Sequence, residues 1–137
     1  MIKFRLDSEK RVRIKPKGRS MLPFLKEKRD EVIISVPEKP IKKYDIVLYK
    51  HDGVYVLHRV IKIKDKFFFI CGDNSAVLEA VEREQILGVV TRIIKSGKKI
   101  NPDGKLLKLR VCLWYKFGVK RIVMRVKKLM RKKKRML

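Results

Sequence analysis

The sequence predicts a mainly β fold with a basic amphipathic C-terminal helix, and three observations point to it. Between Glu31 and about Ile94, short runs rich in Val, Ile, Tyr and Phe are separated by turn residues, the pattern of successive strands. Asp52-Gly53 stands between two such runs inside "YDIVLYKHDGVYVLHRVIKI", and this dipeptide is a strong signal for a two-residue hairpin. From Lys105 onward no acidic residue occurs, while Leu107, Val111, Trp114, Ile122, Val126 and Leu129 recur at roughly helical spacing among Lys and Arg.

The elements follow in order. "EVIISV" is the first strand, closed by "PEKP". The hairpin around Asp52-Gly53 places His58 on its returning strand. "KDK" turns the chain into the strand "FFFIC", and "ILGVVTRII" supplies the last strand before the turn signals "SGKK" and "NPDG". "AVLEAVEREQ" is expected to carry a short helical turn. The tail ends in the run "RKKKR", and Gly118 weakens its helix locally, since glycine costs about 1 kcal/mol against alanine in a helix interior. Two regions result: a β domain over residues 1–100 and a helical tail over 101–137.

Composition bounds the function. With 137 residues, 45% of them hydrophobic, the chain suits one domain with a real core. A formal charge of +24 predicts attraction to polyanions: nucleic acid, an anionic membrane face or an acidic partner. Cys71 and Cys112 lie in apolar contexts, with no CxxC and no disulfide framework, which points to a reducing compartment. No apolar run approaches the roughly 18 residues of a membrane span, and "MIKFRLDSEK" lacks the apolar core of a secretory signal. The expected location is the cytoplasm, with peripheral attachment to the cytoplasmic membrane face.

The chemistry centres on "KGRSMLPFL". Gly18 and Pro23 shape a turn around Ser20, because glycine permits positive φ and proline fixes its own. A turn serine in such a setting otherwise caps backbone groups. Serine becomes a nucleophile only when a neighbour takes its proton. His58, inside a strand and titrating near neutrality, is the natural base; His51, beside the hairpin turn, reads as a solvated loop residue. Asp73, in the glycine-marked turn "CGDN", is the candidate acid to hold the imidazole tautomer. Arg59 reads as a structural partner for a carboxylate such as Asp73.

"GRSMLP", "YDIVLY", "LHRVI" and "CGDN", in this order, resemble the boxes of the signal peptidase I superfamily, most closely its Ser-His branch of endoplasmic-reticulum and archaeal signal peptidases. The resemblance spans roughly residues 15 to 95. It implies a signal-peptidase or repressor-peptidase β fold, with Ser20 as nucleophile, His58 as general base and Asp73 as the supporting acid. Glu79 is the nearest candidate for a second acid. The chemistry it implies needs no metal or organic cofactor, and its substrate is a peptide or protein carrying a leader or signal-like segment. Three departures stand out. Where many members read Ser-Gly-Ser-Met, with a first serine that can help an oxyanion hole, Gly18 and Arg19 precede Ser20, leaving oxyanion stabilisation to backbone N–H groups such as that of Ser20. Tyr44 replaces the usual glycine before Asp45. The membrane-spanning anchor common in the family is missing. The same fold also serves self-cleaving repressors, so a self-cleaving or catalytically inactive regulatory module is the alternative.

Three roles are open to the tail: a helix packed on the sheet, an interfacial anchor, or a non-specific nucleic-acid contact. As an anchor it would use Trp114 and Tyr115 at the headgroup level, with Arg131, Lys132, Lys133, Lys134 and Arg135 meeting anionic lipid.

Overall fold

The computed structural model describes residues 2–136, with the side chains of all but residues 2–5, 119 and 136. Among the described residues the fold is mainly β, with eight strands, a short N-terminal helix and two C-terminal helices. The chain divides into two compact units between Pro102 and Asp103.

The first unit opens with α1 (Ile2–Glu9) and β1 (Arg11–Ile14), followed by β2 (Asp30–Ser35), β3 (Ile46–His51), β4 (Val54–Lys64), β5 (Phe67–Cys71), β6 (Glu79–Glu82), β7 (Ile86–Lys95) and β8 (Lys98–Ile100). All pairings are antiparallel, in the order β1-β2-β7-β3-β4-β5-β6, with β8 added to β7. The turn dipeptides set the register. Asp52 and Gly53 both take positive φ (49° and 79°), as a type I′ turn demands, and His51 pairs with Val54 across it. Ser96 and Gly97 repeat the arrangement between β7 and β8. Ile41, Val47, Tyr49, Val60, Phe68, Ile70, Val81 and Ile86 form one buried cluster beneath β3 to β7.

Two local expectations change. The segment expected to hold a helical turn divides into β6 and a single 3-10 turn at Arg83–Gln85. Val81, buried and paired with Phe68, gains more from the sheet than a short helix would supply. The tail forms α2 (Lys105–Lys116) and α3 (Val119–Met136) in place of one helix, because Gly118 at φ 74° stops the first.

The long connection from β1 to β2 carries Ser20, and buried Asp30 fastens its far end. The Asp30 carboxylate accepts from the Lys26 N–H (2.8 Å) and from Arg29 Nε and Nη2 (2.7 and 2.9 Å), with Lys95 Nζ 3.5 Å away. Lys95 also donates to the Phe24 carbonyl, so β7 holds the loop directly. Burial alone would push the Asp30 carboxyl up. The hydrogen bonds from Arg29 and Lys26 and the charges of Lys95 and Arg29 outweigh it and hold the group below its ordinary value of 3.8. A depressed folded-state value means that Asp30 stabilises the fold above the unfolded carboxylate range and loses that contribution as pH falls through the folded value. Chemical denaturation measured from pH 6 to pH 2 is therefore expected to show a shallower acid loss in Asp30→Asn than in the wild type, with the two curves converging at the acid end.

Candidate active site

Ser20 begins a tight helical turn in which the N–H groups of Phe24 and Leu25 both reach the Met21 carbonyl (3.0 and 2.9 Å). Gly18 enters it at φ 86°, and the Leu22–Pro23 bond is cis. Met21 and Leu25 are buried, which roots the turn in the core while Ser20 stays half-buried at its surface. His58 is also half-buried, on β4 opposite Val47 of β3.

The turn Gly72-Asp73-Asn74 joins these two segments. The Asn74 N–H donates to the Ser20 carbonyl at 2.8 Å. Gly72 is packed so closely that a Cβ on it would lie 2.7 Å from the same carbonyl and 3.2 Å from His58 Nε2. Nε2 of the imidazole therefore faces the Ser20 segment across a position that only glycine fits. Among the described residues no hydrogen bond joins Ser20 Oγ to Nε2. Such bonds are often long in unliganded enzymes and tighten when substrate binds.

Asp73, expected to orient the imidazole, is fully buried and engaged by Arg59, whose Nε and Nη2 donate to its two oxygens at 2.8 Å each. Arg59 Nη1 donates to the Tyr44 carbonyl (2.9 Å), and the guanidinium lies 5.2 Å from the Phe24 ring centre. Alternation along β4 puts His58 and Arg59 on opposite faces, so consecutive residues 72 and 73 serve consecutive residues 58 and 59. Tyr44, where the resembling family has glycine, adopts φ 74°. That left-handed geometry favours glycine and costs a tyrosine about 1 kcal/mol.

The other side of the imidazole meets Tyr49. Its hydroxyl lies 3.3 Å from His58 Nδ1, and the Glu79 carboxylate of β6 acts on it electrostatically. Burial first, then the Glu79 charge, push the Tyr49 phenol well above its ordinary value of 10.0. Glu79 also meets His51 Nδ1 at 3.3 Å, so His51 is drawn into this edge of the site. Tyr49 escaped the sequence reading, although a tyrosine amid the apolar run "DIVLYK" signals a buried hydroxyl in need of partners.

Ser20 and His58 line one groove of 590 Å3 with Ile14 to Gly18, Met21, Leu25, Leu48 and Val54 to Leu57. One wall is the stretch Val54–His58 of β4, which runs past the end of β5, since that pairing starts at Arg59 and Cys71. The opposite wall is the end of β1 and the Lys15-Pro16-Lys17 segment. The floor is largely apolar.

In the second unit, Arg131, Lys132, Lys133, Lys134 and Arg135 are exposed on α3. Trp114, expected at a membrane interface, is instead buried with Val111 on α2, and Tyr115 is half-buried under Lys120 Nζ, 4.6 Å from its ring centre. The exposed apolar residues are Leu106, Leu109, Leu113 and Phe117 along one stripe of α2 and its end, and Ile122, Val126, Leu129 and Met130 along α3.

Compared with known proteins, the chain matches no family model and no curated protein sequence.

Two substitutions test this construction. Gly72→Ala is expected to push the Ser20 backbone away from this turn and to displace the imidazole with it, visible as a lowered unfolding free energy together with a shift of the His58 ring signals in NMR spectra. Asp73→Ala leaves the Arg59 charge buried and unpaired and is expected to lower the unfolding free energy in urea by about 3–5 kcal/mol, whereas Arg59→Met with Asp73→Leu should recover much of the loss.

Proposed function

We propose that this protein is a serine endopeptidase of the signal peptidase type, cleaving a leader or signal-like segment. The observation that carries the reading is the shared groove: Ser20 lies on its rim, and Nε2 of His58 faces the Ser20 segment across Gly72. Ser20 Oγ attacks the scissile carbonyl as His58 takes its proton. The imidazolium returns that proton to the leaving amine, and water resolves the acyl-enzyme with His58 again as base. The Ser20 N–H is the oxyanion donor. Asp73 acts as a positioning residue, through Arg59 on one side and the Gly72–Asn74 turn on the other. A substrate strand laid along the β4 stretch that runs past the end of β5 would have an apolar groove beneath it, the pattern of recognition by strand addition.

The helical unit is assigned to an anionic lipid surface on the cytoplasmic side. Fourteen basic and no acidic residues follow Asp103, and the exposed stripes of α2 and α3 give apolar area to bury beside that charge. Each Lys or Arg near an anionic bilayer contributes about 1 kcal/mol, and apolar insertion adds a component that salt does not screen. Reduced Cys71 and Cys112 fit a cytoplasmic setting.

One experiment addresses both assignments. Wild type and Ser20→Ala are incubated with a peptide library rich in small-residue sites, with and without phosphatidylserine vesicles, and products are read by mass spectrometry. Cuts absent from Ser20→Ala and increased by vesicles are expected. Ser20-independent products, or none in any arm, would transfer the protein to an inactive regulatory or binding role on the same fold. Equal stimulation by DNA would reassign the tail to polyanions in general.

A further inference from the structure

We propose that Lys15 and Lys17 are specificity-determining residues of the groove, selecting an extended peptide in which Asp or Glu alternates with apolar residues. The proposal deepens the peptidase reading and rests on it for the cut itself; the binding it describes is measured apart from cleavage.

The groove has an apolar floor and a cationic rim. The floor includes Met21, Leu25 and Leu48, all buried. The lining contains no carboxylate and two cations, Lys15 and Lys17, both exposed on the wall that continues β1. Positive charge also stands close to the facing wall, where Lys50 Nζ lies 5.4 Å from the ring centre of Tyr55.

These charges are not consumed inside the molecule. Among the described residues no side-chain hydrogen bond or ion pair engages Lys15 or Lys17. The carboxylates that flank the two walls have other partners. Glu31 of β2 is held by Arg13, with Lys15 acting on it only as a nearby charge. Asp52, at the hairpin tip, meets His51 Nε2 at 3.3 Å. The rim is therefore open to an acidic group brought by a ligand, and the floor requires that the same ligand carry apolar groups.

An extended peptide meets both demands, because its successive side chains point to opposite faces. One set enters the floor while the alternate set stands at the rim beside the lysines. The β4 wall runs from Val54 to His58, a length of about 13 Å at the rise of a strand. The acidic residues of the substrate thus fall within about four positions of the scissile bond. They lie on one side of it, since no residue of β4 beyond His58 lines the groove.

The test uses the full chain carrying Ser20→Ala, so that bound peptide stays intact, with 15N labelling to locate the contact. Three short peptides are titrated in, each with alanine or valine at alternate positions and glutamate, glutamine or lysine between them. The amide shifts of Val54–His58 report affinity at the groove and separate it from binding to the helical unit. The glutamate peptide is expected to bind about 5-fold more tightly than the glutamine peptide, with lysine the weakest and the differences shrinking as salt is added. Lys15→Glu with Lys17→Glu should reverse the order, which no folding defect would do, and Lys132→Glu with Lys133→Glu should leave it unchanged. Equal binding of the three peptides, or an order that survives reversal at 15 and 17, overturns the proposal. So do shifts of the same amides with phosphatidylserine vesicles and with none of the peptides. Wild-type cleavage of the same peptides, extended by a small-residue site, is followed in parallel by mass spectrometry. A glutamate preference in the groove without Ser20-dependent cuts would sink the peptidase and leave the specificity assignment standing; cuts indifferent to peptide charge would do the reverse.

Discussion

The buried pair of Arg59 and Asp73 is the interaction on which the arrangement of the site depends. Its two hydrogen bonds are bidentate, both side chains are nearly or fully out of solvent, and the guanidinium has further neighbours in the Tyr44 carbonyl and the Phe24 ring. Through one side chain, the Ser20 loop, the turn before β3, strand β4 and the Gly72–Asn74 turn are tied together. An ion pair of this kind contributes little net stability against an apolar equivalent, since desolvation offsets most of the attraction. What it does supply is directional registry. The fork of the guanidinium fits one carboxylate orientation, and that orientation determines where Gly72 lies.

Gly72 turns the registry into chemistry. Its missing side chain lets the Ser20 carbonyl and the His58 ring approach the same point from different elements, and the Asn74 N–H holds the serine segment there. Tyr44 shows the other side of this economy. The backbone before β3 must turn through φ 74° so that its carbonyl can accept from Arg59 while its N–H reaches Val60 at 2.7 Å. Tyrosine accepts that strain without changing the path of the chain, and Lys43 lies over its ring at 5.0 Å.

The strands were legible because their signals are local. Alternating apolar residues fix the faces, and Asp52-Gly53 and Ser96-Gly97 fix the turns. The pairing of Arg59 with Asp73 could also be read, from a buried-strand arginine and a glycine-marked acid with few other partners. Helix α1 and strand β1 could not. "IKFRLDSE" and "RVRI" are short and charge-rich, and among the described side chains the buried Leu6 and Val12 have neighbours distant in sequence. Tyr49 was hidden for a related reason. Its hydroxyl meets His58 Nδ1 on the neighbouring strand, a contact set by a register that no sequence spacing reports.

Charge has opposite meanings in the two units. In the β unit the basic groups that pin the fold are consumed: Arg59 by Asp73, Arg29 by Asp30, Arg13 by Glu31, each within hydrogen-bond distance. The helical unit has no carboxylate after Asp103 to answer its fourteen cations, and its apolar residues are exposed in stripes along the same two helices. Self-repulsion among those cations opposes the helical unit's own stability, and exposed leucines work against plain solvation. On the proposed reading, a surface that is at once anionic and apolar would relieve both.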